Sequence, residues 1–442
     1  MPGLKTRHYT GRPNWSLSLA AAAILAATSL FTLPASAQDK PLDGHRISVL
    51  MISHPTSDAV QKALPEFKAL TGIDVDLEVV PEADATSKML LEFSSKSGRY
   101  DVVENNTILA PGFVKSGYIV PVDDLAAKDP QFFDKADLLP SYLKRTELDG
   151  KLYGVPVFGE STFLMYRKDL FDQYGIAVPK TFDDIEAAAK TVKEKSNGQI
   201  VGITMRGQQG IQGVYVWASY LWGMGGSFLT PDGKSNLATP EAAKALDAFA
   251  HVLKEYGPVG VANMGWEENR LLFQQGKAAM TIDATVNGAF NEDPSVSTVV
   301  GKVGYAPVPV QTDHPLGGSS SLGAFAMYVA ADSKEQEAAW LFASWATSKE
   351  HQIKSLDTDP NSGVTSIAAM NSDVFTKRYG AFKDGMIASL ANGNPNYLPN
   401  VAQANEIINN TGIAVSKVLA GTESAVDALK EANDLNNAAL TK

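Results

Sequence analysis

A set of polar and aromatic residues in this 442-residue sequence has the groups needed to bind a polyhydroxylated small molecule. Carboxylates and amides accept hydrogen bonds from hydroxyl groups, and arginine and amide nitrogens donate to them. Aromatic rings cover the C–H faces of such a ligand at low entropic cost. The candidate ligand-binding residues, most of them in or near loops after predicted strands, are His54, Asn105, Asn106, Glu160, Arg206, Trp217, Trp222, Trp266, Asp283, Gly318 and Ser319.

Several candidates have structural alternatives that the sequence leaves open. His54 precedes a proline and could shape a turn, whereas Asn105 and Asn106 could form an Asx turn. Glu160 could cap a backbone donor, and Arg206 could pair with a nearby carboxylate. We expect ligand contact for at least one of the two asparagines.

The sequence also leaves alternative roles for the tryptophans and Asp283. Trp217 and Trp222 lie in one apolar segment, where core packing is the usual place for the ring, and we expect at least one of them to line the site. Trp266 precedes two glutamates, which is less typical of a core. Asp283 follows a predicted strand and could instead cap the next helix.

Signatures of catalysis are missing. The sequence contains no P-loop, no Gly-x-Ser-x-Gly elbow and no His-Glu-x-x-His motif. Its six histidines are scattered and it has no cysteine, so we expect neither a metal site nor a cofactor. Glu267 with Glu268, or Glu160 with Asp283, could act as acid and base in glycoside hydrolysis. A secreted glycoside hydrolase is therefore the alternative to a binding protein without catalysis.

Length and charge restrict the class further. A chain of 442 residues can form two domains with sizeable cores. The formal net charge of −11 disfavours nucleic acid as a partner. We expect a monomer.

Residues 1–37 have the pattern of a cleavable signal peptide. Basic residues precede an apolar run at 17–31, and Ala35-Ser36-Ala37 is a small-x-small cleavage site. The alternative is a membrane anchor, but the run is rich in small residues and makes a weak span. Cleavage would lower the net charge from −11 to −14. Without a cysteine the chain cannot be a thioether-linked lipoprotein, so a free periplasmic protein is predicted.

The elements that position the candidates follow a strand–helix–strand order. Apolar or alternating runs at 47–52, 73–79 and 100–103 predict strands separated by helices, which indicates a parallel α/β unit. Ligand groups are expected at the carboxyl ends of such strands. The pattern recurs later in the chain, with predicted strands at 200–204 and 278–282.

Residues 153–171 join the two patterns. Asp149-Gly150 predicts a tight hairpin turn just before this stretch. Pro156 lacks a backbone donor and suits an edge strand or a crossing between units. A second crossing strand is predicted at 302–310, so two lobes crossed more than once by the chain are expected.

This crossover, Gly159-Glu160-Ser161 with 165–171 (Met-Tyr-Arg-Lys-Asp-Leu-Phe), resembles that of the extracellular solute-binding proteins of carbohydrate ABC importers. Residues 273–280, 282–285 and 338–348 extend the resemblance, which is greatest to the branch that binds sorbitol and mannitol. The resemblance implies a cleft site whose Asn, Glu, Arg, Trp and Asp groups match Asn105 or Asn106, Glu160, Arg206, Trp222 and Asp283. The sequence departs from many relatives at 363–366, where they carry an Arg after a Pro.

The expected fold is α/β, a two-lobed, type II-like periplasmic binding protein with a cleft between lobes joined by a multi-strand hinge. We expect residues 38–156 with 310–365 in the N-terminal lobe and 157–309 with 366–442 in the C-terminal lobe. The expected function is capture of a sugar alcohol or monosaccharide and delivery to the permease of an ABC importer by lobe closure. Another solute, such as an oligosaccharide, is the alternative within the same fold.

Overall fold

The computed structural model describes residues 40–129, 131–311, 318–358 and 361–441. The predicted signal peptide at 1–37 lies outside these residues. The strands in them are β1 (Arg46–Ile52), β2 (Asp74–Val80), β3 (Val102–Asn106), β4 (Glu147–Leu148), β5 (Lys151–Leu152), β6 (Gly154–Glu160), β7 (Thr162–Arg167), β8 (Met280–Ala284), β9 (Val303–Pro307), β10 (Ser320–Ser321), β11 (Gly323–Val329) and β12 (Gly393–Asn394).

The α-helices of the described residues separate and cover these strands. They are α1 (Pro55–Thr71), α2 (Glu82–Ser95), α3 (Ala110–Lys115), α4 (Asp123–Ala127), α5 (Pro140–Leu143), α6 (Lys168–Tyr174), α7 (Phe182–Lys195), α8 (Ile211–Gly223), α9 (Pro240–Tyr256), α10 (Trp266–Gln274), α11 (Asn287–Asn291), α12 (Gln336–Thr347), α13 (Lys349–Thr358), α14 (Ile367–Met370), α15 (Asp373–Ala391), α16 (Ala404–Ala420) and α17 (Ala425–Leu440).

The first lobe is built on a five-stranded sheet in the order β2-β1-β3-β11-β6. β1 is parallel to β2 and β3, whereas β11 is antiparallel to β3 and β6. Val49 and Met51 of β1 belong to an apolar cluster with Trp340 of α12, and Leu50 belongs to a second cluster with Met89 of α2. Both faces of β1 are therefore buried, which explains its nearly continuous apolar sequence.

The second lobe is built on the antiparallel sheet β8-β7-β9. The predicted strand at 200–204 is wrong, because these residues make only the isolated parallel bridges Val201–Ala278 and Thr204–Thr281. α8 is buried along nearly its whole length between α9 and α16, as expected for a helix that is apolar on all sides. α15 packs on β7 and β9.

The chain passes from the first sheet to the second at Ser161, between β6 and β7. The Ser161 amide donates to Thr285 Oγ1 (3.1 Å), and its hydroxyl donates to the Ser321 carbonyl (2.7 Å). The predicted edge position of Pro156 is confirmed, because β6 pairs only with β11 in this sheet. The predicted hairpin turn is confirmed as well, with φ of 50° at Asp149 and 77° at Gly150.

Candidate functional site

Residues from both lobes line a cavity of about 260 Å³ beside the crossover. The first lobe contributes the loop after β1, the start of α2 and the ends of β6 and β11, and the second contributes the segment 206–212 and the start of α10. We call this cavity the cleft. It is lined by Ile52, Ser53, His54, Pro81, Glu82, Phe158, Glu160, Arg206, Gln208, Gln212, Gly265, Trp266, Glu267, Glu268, Val286 and Phe325.

His54 is held in the cleft wall by a carboxylate and an aromatic ring. Its Nε2 lies 2.5 Å from Oε1 of Glu104, whose side chain is fully buried. The imidazole stacks on Phe158 with ring centroids 4.4 Å apart. Because Nε2 is bound to Glu104, Nδ1 is the ring nitrogen left to bind another group. This Nδ1 is buried and has no partner among the described residues.

Arg206 is positioned by a buried ion pair with Asp283 at the end of β8. The Arg206 Nε and Nη2 atoms lie 3.0 and 2.5 Å from Asp283 Oδ1, and Nη1 donates to Gln212 Oε1 at 3.2 Å. Asp283 also accepts a bond from Asn269 Nδ2 (2.5 Å) and is fully buried. Burial alone would lower the pKa of Arg206, but the Asp283 charge and hydrogen bonds outweigh it and raise this pKa. The guanidinium therefore stays ionised and is rigidly oriented.

Glu160 ends β6 at the point where the two lobes meet. Burial raises its pKa from the ordinary 4.5 to about 7. Arg206 and a hydrogen bond with the Tyr215 hydroxyl oppose this rise, whereas the charges of Asp283 and Glu82 add to it. At neutral pH the Glu160 carboxyl is therefore able both to accept and to donate hydrogen bonds.

Replacing Glu160 with Gln should change how the free energy of unfolding depends on pH. Between about pH 4.5 and 7 the folded protein retains a proton on Glu160 that the unfolded chain releases, so the stability of the unmodified protein falls as pH rises. The free energy of unfolding of the unmodified protein should fall by up to about 3 kcal/mol relative to that of the Gln variant, and this decrease should level off above pH 7. Urea denaturation of both proteins across this range measures it, and parallel pH curves would contradict the raised pKa.

Trp266 begins α10 and presents a half-buried indole to the cleft. Its Nε1 donates to Asn287 Oδ1 at 2.7 Å, and its backbone amide donates to Gln212 Oε1 at 3.1 Å. Behind the ring lie Phe290, with centroids 5.9 Å apart, and the Arg270 guanidinium at 5.0 Å. These contacts fix the orientation of a flat apolar surface at the cleft.

The two asparagines at the end of β3 do not line the cleft. Asn105 donates to Thr86 Oγ1 (3.1 Å) of α2 and is buried. Asn106 Oδ1 accepts from the Ile108 amide (3.2 Å), which is the turn alternative left open by the sequence. Its side chain also hydrogen-bonds Glu82, so Asn106 supports a cleft residue.

Trp217 and Trp222 lie in the core of the second lobe and not in the cleft wall. Trp217 is 0% exposed and packs edge-on against Phe228. Trp222 is 5% exposed, and its Nε1 donates to the Tyr397 carbonyl at 3.1 Å. Both rings serve α8 packing, so neither meets the expectation that one of them would face the ligand.

The two loop candidates and the divergent segment do not line the cleft either. Gly318 lies against the Asn392 carbonyl, which leaves no space for a side chain there. Ser319 is buried and donates to the Val308 carbonyl (3.1 Å). In the divergent segment, Thr365 Oγ1 donates to the Pro156 carbonyl (2.8 Å) and so supports β6.

The sequence did not single out several cleft residues, among them Glu82, Gln208, Gln212 and Phe158. Glu82 follows β2 directly, so the rule that ligand groups follow strand ends could have found it. It is half-buried, and burial raises its pKa. Phe158 and Gln212 had no comparable signal, because one lies within a strand and the other within a helix.

Two other properties concern only the part of the chain that the structure describes. Within it, no group of three or more His, Asp or Glu side chains is arranged to hold a metal ion. Within the same residues, no helix has both the length and the apolar character required to cross a membrane.

Two α/β lobes that meet at a polar cleft define a two-lobed binding protein. Residues 53–353 match the family of bacterial extracellular solute-binding proteins, and the chain belongs to this family. The predicted fold class and the family resemblance are both confirmed.

Solved structures share this architecture over most of the chain. The ABC-transporter solute-binding protein of Agrobacterium radiobacter K84, in complex with ribitol, is 31% identical with a TM-score of 0.84 and covers 90% of this chain and 100% of its own. The corresponding protein of Agrobacterium vitis S4, with bound D-mannitol, is 28% identical with a TM-score of 0.81 and covers 90% of this chain and 98% of its own.

A curated relative is also a binding protein for a sugar alcohol. The mannitol-binding protein of Pseudomonas aeruginosa is 30% identical over 276 residues, which span 62% of this chain and 62% of that protein. Each of these three relatives is a binding protein.

Proposed function

We propose that this protein captures a sugar alcohol or a similar monosaccharide-sized polyol in the cleft and delivers it to the permease of an ABC importer. The observation that carries the proposal is the buried, unpartnered His54 Nδ1 in the cleft wall. A buried polar atom without a partner is costly unless a ligand or water completes it. A ligand hydroxyl can serve this nitrogen because it both donates and accepts hydrogen bonds.

The other cleft groups complete a site for hydroxyl-rich ligands. Glu160 accepts or donates, Gln208 offers an amide, and Trp266 offers an apolar face. Arg206 is oriented by Asp283 and lies in the same wall. The relatives with bound ribitol and D-mannitol support a sugar alcohol as the ligand class.

The size of the cleft favours a single polyol over an oligosaccharide. A volume of about 260 Å³ is below the roughly 300–1,000 Å³ of common small-molecule sites. One acid–base pair of the hydrolase alternative, Glu160 with Asp283, lacks support, because Asp283 is fully buried and does not line the cleft. The other pair, Glu267 with Glu268, lines the cleft, so the test of the proposal includes product analysis.

Export to the periplasm after cleavage at residue 37, a monomeric state and lobe closure around the ligand are parts of the same proposal. The lobe boundaries at 156/157, 309/310 and 365/366 remain predictions. The chain crosses between the sheets near Ser161, so we propose that closure bends the short segments around this residue.

Calorimetric titration of residues 38–442 with ribitol, D-mannitol, D-sorbitol, monosaccharides and disaccharides tests the proposal. We expect saturable one-to-one binding of at least one sugar alcohol and weaker or no binding of disaccharides. In thermal melting, ligand at 100 times its Kd should stabilise the folded state by about 2.7 kcal/mol. A flat response to the whole panel would refute the ligand class, and release of products from oligosaccharides would refute the absence of catalysis.

A further inference from the structure

We propose that the cleft selects against polyols that carry a carboxylate, such as aldonic acids, and accepts polyols that carry a protonated amine. This inference rests on the proposed function, since it concerns which polyols enter the same cleft. The basis is the distribution of charged side chains around the cavity.

Carboxylates dominate the cleft wall. Glu82 and Glu160 lie in the part contributed by the first lobe, and Glu267 and Glu268 lie at the start of α10 in the second. Glu82 and Glu160 influence one another, because the charge of Glu82 contributes to the raised pKa of Glu160. A ligand in the cleft is therefore surrounded by negative charge from both lobes.

The basic side chains that line the cleft, among the residues described, are already bound to carboxylates. Arg206 is paired with Asp283, and the two side chains are 8% and 0% exposed. His54 is paired with Glu104. The Arg270 guanidinium lies over the Trp266 ring (5.0 Å to the centroid), donates to Gln274 and is not part of the cleft wall. Neither basic side chain of the wall is therefore free to pair with an anionic ligand.

Helix N-termini attract anions, but the two helices that begin at the cleft, α2 and α10, have acidic residues in their first turns. An N-terminus carries about half a positive charge. α2 begins with Glu82 and has Asp84 in its first turn, and α10 has Glu267 and Glu268 in its first turn. α8 has no acidic residue in its first turn. Arg206, which donates to Gln212 of that turn, is already bound to Asp283. Acidic side chains therefore offset the positive ends of α2 and α10 at the cleft.

A ligand carboxylate in this site would lose its hydration and meet like charges, and both effects weaken binding. An ammonium group would instead lie near glutamates that lack a cationic partner in the wall. The electrostatic interaction therefore reverses sign when the terminal group changes from carboxylate to ammonium, although the hydroxyl-bearing chain stays the same.

Matched ligands that differ at one terminal carbon test this inference. We would titrate the full chain at about pH 8, where Glu160 is ionised, with D-sorbitol, 1-amino-1-deoxy-D-sorbitol and D-gluconate. The equivalent trios from D-mannitol and ribitol would be measured alongside. For the backbone that binds best, we expect the amine to bind within about threefold of the neutral polyol or tighter, and the acid at least about 100-fold weaker.

A charge-removing variant identifies the origin of the selectivity. Glu82→Gln should lower the ratio of the Kd for the acid to the Kd for the neutral polyol by about tenfold. Glu350→Gln, which removes the same charge from an exposed position on α13 outside the cleft wall, should leave that ratio unchanged.

The outcomes separate this inference from the proposed function. If the acid binds within about threefold of the neutral polyol, or if Glu82→Gln does not change the ratio, the inference fails and the polyol function stands. If only the amine binds, the inference stands and neutral polyols are not the ligands. If no member of any trio binds, both fail.

Discussion

Replacing Asp283 with Ala should lower the free energy of unfolding by about 3–5 kcal/mol, because it leaves the Arg206 guanidinium buried without its counter-charge. Asp283 is fully buried, so water cannot take the place of the lost carboxylate. The Asn269 amide, which donates to Asp283 at 2.5 Å, would lose this partner too. Urea denaturation at pH 7 measures the change.

Two further variants make this prediction specific to the buried pair. Asp232→Ala removes an aspartate from an exposed turn and should have a much smaller effect. The double change Arg206→Met with Asp283→Leu should recover much of the stability lost in Asp283→Ala, since an apolar pair carries no desolvation penalty. An Asp283→Ala protein as stable as the Asp232→Ala protein would show that the ion pair is not buried in solution.

Replacing Trp266 with Ala should weaken binding of the best sugar alcohol by about 2–4 kcal/mol, which is at least about 30-fold in Kd. The Trp266 indole lines the cleft, and its hydrogen bond to Asn287 (2.7 Å) fixes its orientation. Trp266→Ala should lower the free energy of unfolding by only about 1–2 kcal/mol, because the ring is half-buried.

Trp217 is the matched control because it is the same residue type in the core. Trp217→Ala should lower the free energy of unfolding by about 3–5 kcal/mol, yet the Kd of the folded fraction should stay within about threefold. Trp217→Phe keeps an aromatic ring in the core if the Ala variant does not fold. Calorimetry and thermal melting of these variants separate the two roles, and an equal loss of affinity in the Trp266 and Trp217 variants would contradict the assignment.

Local patterns determined much of the framework in advance. Thr181 caps α7 by accepting a hydrogen bond from the Asp184 amide, and Thr239 with Pro240 begins α9; both threonines stand just before periodic apolar segments. The turn at Asp149-Gly150 formed as predicted. These features depend on neighbours within a few residues, so the sequence contains the information that they need.

Strand ends also placed part of the candidate site. His54, Glu160 and Arg206 each follow a predicted strand, and all three line the cleft. Glu82 comes after β2 in the same manner. His54 and Glu160 meet because the carboxyl ends of β1 and β6 lie at one edge of the first sheet. Arg206 lines the cleft although the strand predicted before it did not form.

By itself, therefore, the sequence determined the family, the two-sheet α/β plan and several groups at the strand ends. Tertiary packing alone decided which tryptophan faces the cleft, since α8 is apolar on every side and its pattern cannot distinguish a core ring from a ligand-facing one. It also decided that Asp283 holds Arg206, 77 residues earlier in the chain, and does not reach the ligand space. Such contacts depend on the relative placement of distant segments, which short-range periodicity does not encode.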